Sequence, residues 1–129
     1  ENGDLITYAQ QLVYDEYNIY GPEGHQLSRP PEFECEATHR AITIANYINT
    51  PLYIVHVQSY DAGEMIRRAK SKGYIVYGEC LPAGLAADGN QLWNKDWEIA
   101  AGYVMSPPIS TDIDNKNKLI NLIQSGDIS

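Results

Sequence analysis

The sequence predicts an α/β chain that forms an internal arc of a larger β/α barrel. Two short runs rich in β-branched and aromatic residues, Leu52–Val57 and Tyr74–Glu79, read as strands. A stretch of helical periodicity joins them, which makes a βαβ unit and therefore a parallel pair. Two parallel strands alone leave both edges open and cannot cover their faces, so the missing strands must come from residues outside this sequence or from a companion chain.

Each element has its own signal. Leu5, Tyr8, Ala9, Leu12, Val13 and Glu16 recur at helical spacing, with Asn2 or Asp4 placed to cap the first turn. From Gly21 to Pro31 the chain is crowded with residues that break both helix and strand, and it is ordered only if something packs on it. A helix over residues 34–49 carries the stripe Ala37, Ala41, Ile44, Ala45 and Ile48 and is stopped by Asn49-Thr50-Pro51. Glu32, Glu34 and Glu36 fit its solvated start. After the first strand, Asp61 and Glu64 suggest a capping box. Ala62, Met65, Ile66 and Ala69 line one face, Arg67, Arg68, Lys70 and Lys72 lie near the negative helix end, and Gly73 terminates. Beyond the second strand come a loop over 82–91, a short helix over 93–102, a break at Ser106-Pro107-Pro108 and a last amphipathic helix over 115–125 with Leu119, Leu122 and Ile123 inward. Trp93 and Trp97, four residues apart, are expected to pack on one helix face.

Composition excludes several classes of function. Seventeen acidic against nine basic residues give the 129-residue chain a formal charge of −8, which repels nucleic acid and anionic membranes. No apolar stretch approaches the roughly 20 residues that span a bilayer, and nothing at the start resembles a signal peptide. Cys35 and Cys80 lie far apart and no Asn-x-Ser/Thr acceptor occurs, a pattern that fits a reducing cytoplasm. An opening on Glu1 without methionine and a close just after Gly126-Asp127 point to a piece of something longer.

Among the residues able to carry chemistry, His56 stands out because it sits at the carboxyl end of an apolar strand, where α/β enzymes place their active sites. A hydrogen-bonded core histidine is the competing reading. Catalytic zinc takes three or more protein ligands, and no His-x-His or His-Glu-x-x-His accompanies His56, so any metal site must be completed from outside this sequence. His25 in the proline-rich loop and His39 on a helix read as structural or surface residues. Cys80 reads as a small buried apolar side chain rather than a nucleophile. The prolines of the 103–108 segment impose a stiff, extended backbone, from which Ser106 could offer main-chain groups to a ligand.

Read as a whole, the chain resembles the dihydropyrimidinase and hydantoinase branch of the amidohydrolase superfamily, together with its non-catalytic relatives, the collapsin response mediator proteins. The resemblance rests on Glu1-Asn2-Gly3-Asp4, Gly21-Pro22-Glu23-Gly24-His25, Ser28-Arg29-Pro30, Glu34 to Ile44, Pro51 to Val57, Tyr77-Gly78-Glu79, Asp88-Gly89, Trp93-Asn94-Lys95-Asp96-Trp97 and Met105-Ser106-Pro107-Pro108.

That resemblance implies a TIM-like (β/α)8 barrel of which residues 1–129 are a partial metal-dependent hydrolase domain, the segment between the fifth and eighth barrel strands. It implies two zinc ions bridged by a carboxylated lysine outside this segment, and hydrolysis of a cyclic amide by metal-activated water. His56 would be the zinc ligand on the sixth strand, and Ser106 would contact the substrate ring through its main chain. The His-x-His pair, the lysine, a further histidine and the proton-shuttling aspartate of the family have no counterpart here, so the segment alone is expected to be inactive. The activity implied is that of a dihydropyrimidinase opening 5,6-dihydrouracil or 5,6-dihydrothymine to an N-carbamoyl β-amino acid, in a cytoplasmic homotetramer with a small-molecule substrate and no nucleic-acid or membrane partner. The alternatives are a hydantoinase with a different ring and a non-catalytic mediator-type scaffold. Mediator-type relatives typically lack the histidine at position 56, which favours an enzyme.

Overall fold

The computed structural model describes residues 1–129. The chain runs through α1 (Gly3–Asp15), α2 (Glu23–Leu27), α3 (Pro31–Tyr47), β1 (Leu52–Val57), α4 (Tyr60–Ser71), β2 (Val76–Cys80), α5 (Pro82–Ala86), a 3₁₀ turn (Gly89–Trp93), α6 (Trp97–Gly102) and α7 (Ile113–Gln124). β1 and β2 pair in parallel, with Leu52 opposite Val76, Tyr53 opposite Tyr77 and Ile54 opposite Gly78. Where the chain returns from α7, Ser129 lies along β2 of this two-stranded sheet. The Ser129 N–H donates to the Gly78 carbonyl at 2.9 Å, and the Ser129 carbonyl accepts from the Cys80 N–H at 2.7 Å. Both bonds use groups of alternate β2 residues, as in a parallel ladder, on the edge away from β1.

Helices cover one face of this sheet. Val57 and Val76 from the strands pack with Ala62 and Ile66 of α4, Leu119 and Leu122 of α7, and Ile42 of α3 in one buried cluster. The opposite face is open: Tyr53 and Tyr77 are 52% and 54% exposed and stack at 6.5 Å, and the Tyr53 hydroxyl donates to Glu79 at 2.8 Å. The chain thus holds the parallel βαβ unit expected of it, covered on one side. This agrees with an α/β segment of a larger domain, as expected; two strands do not by themselves make a barrel.

Caps and stops explain the boundaries. Asn2 accepts from the Leu5 N–H and starts α1, and Asn49 (φ 54°) and Gly73 (φ 81°) supply the left-handed residues that end α3 and α4. Residues 21–31 are ordered because α2 packs on α1, where Gly24 lies against Val13 and Ile19. No helix of the chain is long and apolar enough to cross a membrane.

Several expectations are corrected. α1 buries Ile6 and Val13, while Leu5 and Tyr8 are 39% and 69% exposed, so its inner stripe is rotated from the one expected. α3 begins at Pro31, whose missing N–H costs nothing in a first turn, and buries Glu34, Thr38, Ile42 and Ala45. Ile44 and Ile48, placed inward from the sequence, are 56% and 64% exposed, so Glu34 is a buried residue rather than part of a solvated start. Ser59, not Asp61, caps α4. Glu64 instead takes a two-pronged bond from Arg67 at 2.6 and 2.7 Å and another from Arg68 at 2.9 Å, and chiefly the Arg67 bonds hold its carboxyl down to about 2. Trp93 and Trp97 lie on separate elements, both exposed, because Asp96 caps a new helix between them.

Leu119 is fully buried at the centre of the cluster. Leu119→Ala should lower unfolding stability in urea by about 2–5 kcal/mol, whereas Ile113→Ala, at a side chain 74% exposed, should change it by less than about 0.5 kcal/mol.

Candidate functional site

The site begins with an irregularity in β1. Between the pairs Ile54–Gly78 and Val57–Cys80, β1 takes three steps while β2 takes two. The extra residue is accommodated at His56, whose φ of 47° is left-handed, a conformation that histidine adopts more readily than most side chains but still at a cost. Ile54 and Val57 both pack toward the helices, so the bulge resets the alternation between them. The ring is half-buried, at the strand's carboxyl end, and takes no part in the side-chain hydrogen bonds of the chain.

Two helices grip the turn that follows. The Gln58 N–H donates to the Glu34 carboxylate of α3 at 2.8 Å. From α7, Asn115 accepts the Tyr60 N–H at 2.7 Å and donates to the Gln58 carbonyl at 2.9 Å. Ser59 caps α4 by accepting the Ala62 N–H. Burial pushes the Glu34 carboxyl up to about 7, against the lowering pull of donors from Gln58 and Ser59. The Gln58 side chain, 2% exposed, has neither amide atom partnered, and it packs so closely on Gly84 that any Cβ there would collide with its Oε1.

Ser106 lies after α6 and is exposed, at a bend with a cis peptide to Pro107 rather than in the extended backbone expected from the prolines. His25 reaches this segment from α2: its Nε2 stands 2.6 Å from the Met105 carbonyl and 3.4 Å from the Ser106 Oγ. His25 is thus structural, as expected, and His39 is exposed on α3. Burial pushes the Cys80 thiol up to about 11, which agrees with a role other than nucleophile.

The two residues singled out from the sequence do not touch, but the residues that follow them meet. Gln58 and Ser59 share with Pro107 and Pro108 a cleft of about 180 Å³, whose wall also includes Arg29, Glu34 and Asn115. The segments that follow His56 and Ser106 therefore line one cleft. No group of three or more His, Cys, Asp or Glu side chains converges in the chain. A single imidazole at a strand end fits one ligand of a metal site. Glu34 and Asn115 escaped the sequence reading, although Glu34 heads the helical series 34, 38, 42, 45.

Parallel strands joined by a helix, with an imidazole at a strand's carboxyl end, define an α/β segment. No family model matches the chain. Dihydropyrimidinase of Rattus norvegicus is 50% identical over 129 residues, all of this chain and 25% of that protein. The human dihydropyrimidinase-related protein 5 is 42% identical over 123 residues, 95% of this chain and 22% of that one. Crystal structures of a D-hydantoinase and of the dihydropyrimidinase of Brevibacillus agri superpose with TM-scores of 0.94 at 37% and 38% identity, each covering 99% of this chain and 27% of the other. The chain belongs to the dihydropyrimidinase and hydantoinase family, which includes the dihydropyrimidinase-related proteins, and spans about a quarter of the length of the curated relatives it matches.

Glu34 makes stability depend on pH in a defined direction. Its folded pKa of about 7 lies above the ordinary 4.5, so the folded state holds the proton more tightly and unfolding releases it in between. Stability should be greatest below about pH 4.5 as far as this group is concerned and fall by roughly 3 kcal/mol as pH rises to 7. Glu34→Gln should flatten that slope in urea unfolding curves taken across the window.

Proposed function

We propose that the chain is the part of a (β/α)8 barrel between its fifth and eighth strands, in a longer zinc-dependent dihydropyrimidinase. The reaction is hydrolytic opening of 5,6-dihydrouracil or 5,6-dihydrothymine to an N-carbamoyl β-amino acid. The observation that carries this reading is His56: an unengaged imidazole at a strand's carboxyl rim, held left-handed in a bulge, in a chain 50% identical to a dihydropyrimidinase.

In this reading the chain supplies one wall of the site. His56 is a ligand to one of two zinc ions, and the remaining ligands, including the bridging carboxylated lysine, lie outside residues 1–129. Bound zinc supplies Lewis-acid polarisation of the amide carbonyl and a more acidic water. The chain's own contribution is orientation. Glu34 and Asn115 hold the turn after His56 from two sides, so the imidazole need not be ordered when the ligand set closes around it. Ser106 presents main-chain groups to the ring from a segment stiffened by Pro107 and Pro108. The open tyrosine-bearing face of the sheet is the side on which the remaining strands would close. A homotetramer in the cytoplasm accompanies the reading.

A second reading, a non-catalytic scaffold, is favoured by the 42% identity to the dihydropyrimidinase-related protein, and it predicts the opposite result in the same assay. The full-length protein should hydrolyse 5,6-dihydrouracil, lose turnover on chelation and regain it with zinc. His56→Ala should lower kcat by at least about 100-fold together with zinc content. The 129-residue chain alone should show no turnover. A full-length protein that binds no metal and leaves dihydrouracil intact establishes the scaffold.

A further inference from the structure

We propose that His25 is a positioning residue, which aims the Ser106 main-chain N–H by holding the Met105 carbonyl; the inference rests on Ser106 contacting the substrate ring, as in the function proposed above. A carbonyl oxygen carries no proton, so at 2.6 Å the His25 Nε2 is the donor and the imidazole is the Nε2–H tautomer. With that proton committed to Met105, the Ser106 Oγ at 3.4 Å adds only a weak contact, and the serine side chain is not what the imidazole organises.

The peptide unit carries the consequence. The Met105 C=O and the Ser106 N–H belong to one planar group and point in opposite directions. Turning the carbonyl toward His25 therefore turns the Ser106 N–H away from α2. Pro107 removes the next N–H, so Ser106 offers the last main-chain donor before two residues without one, Pro107 and Pro108. Freed from His25, the Met105–Ser106 peptide could rotate and replace this donor with an acceptor, which is the wrong group for a ring carbonyl.

The imidazole is itself held. The His25 main-chain carbonyl accepts from the Ser28 Oγ at 3.1 Å, where Ser28 is 1% exposed, and from Arg29 Nη1 at 3.4 Å. Gly24, next to it, packs on Val13 and Ile19, and Gln26 accepts the Trp93 indole N–H at 3.0 Å. α2 is thus tied to α1 on one side and to the 3₁₀ turn on the other. Burial lowers the His25 pKa against the raising pull of the bond to Met105, and the Arg29 charge lowers it further, which suits a neutral ring with one N–H.

The test uses the full-length protein loaded with zinc. His25→Ala should raise KM for dihydrouracil about tenfold, the worth of one well-placed hydrogen bond, with kcat within about threefold and zinc content unchanged. His25→Gln, whose carboxamide can donate to Met105, should recover most of the loss. His25→Phe fills the ring volume without the donor and should behave like His25→Ala, so it replaces that variant if His25→Ala does not fold. Histidine 15N NMR should show the Nε2–H form at His25, and crystal structures should show the Met105–Ser106 peptide rotated in His25→Phe. Unchanged KM in folded His25→Phe, an Nδ1–H tautomer, or an unrotated peptide overturns the proposal. If the wild-type protein turns over no cyclic amide, the function fails, while the tautomer and the peptide rotation still decide the role of His25.

Discussion

The chain depends on the hydrogen bonds that seize the turn leaving β1. A strand that gains one residue must lose its register with the neighbour, and here the gain falls at His56, in a conformation most residues avoid. Such a kink persists only where its surroundings over-determine it. The surroundings are Glu34 from α3 and Asn115 from α7, which take between them the Gln58 N–H, the Gln58 carbonyl and the Tyr60 N–H. Helices that come before and after the βαβ unit in sequence thus converge on Gln58 and Tyr60, just past His56.

This arrangement separates two jobs within six residues of strand. Leu52, Ile54 and Val57 face the helices and provide burial, while Tyr53 and Val55 stay on the open face. Without the bulge, His56 would share the face of Ile54 and point toward the core. The bulge keeps Val57, 0% exposed, in the core at the end of the strand. Glu34 carries the cost of the arrangement: a buried carboxyl, with donors on only part of its surface, has its pKa pushed up to about 7.

Much of this was legible in the sequence. The parallel unit followed from two β-rich runs and the helix between them, and Asn49, Gly73 and the strand-end position of His56 were visible as residue types at telling places. The bulge was not legible, because nothing in Leu52–Val57 marks where an extra residue enters a ladder, and register belongs to the pair of strands. The face of α3 was misread for a related reason. Ile44 and Ile48 are apolar and Glu34 is not, so hydrophobicity alone turned the helix the wrong way. The partner that satisfies Glu34, the Gln58 N–H, lies 24 residues along the chain and becomes adjacent only after folding. His25 shows the same limit over a longer span: its type was plain, but its acceptor at Met105 is 80 residues away.

The claim on which the account turns is that the His56 ring faces the catalytic side and binds metal there. X-ray diffraction from crystals of the full-length protein, measured on both sides of the zinc absorption edge, tests it directly. An anomalous peak about 2.0–2.1 Å from a ring nitrogen of His56, with the residue still left-handed, is the predicted result. A ring turned into the α4 side of the sheet, with zinc absent or bound elsewhere, would contradict it.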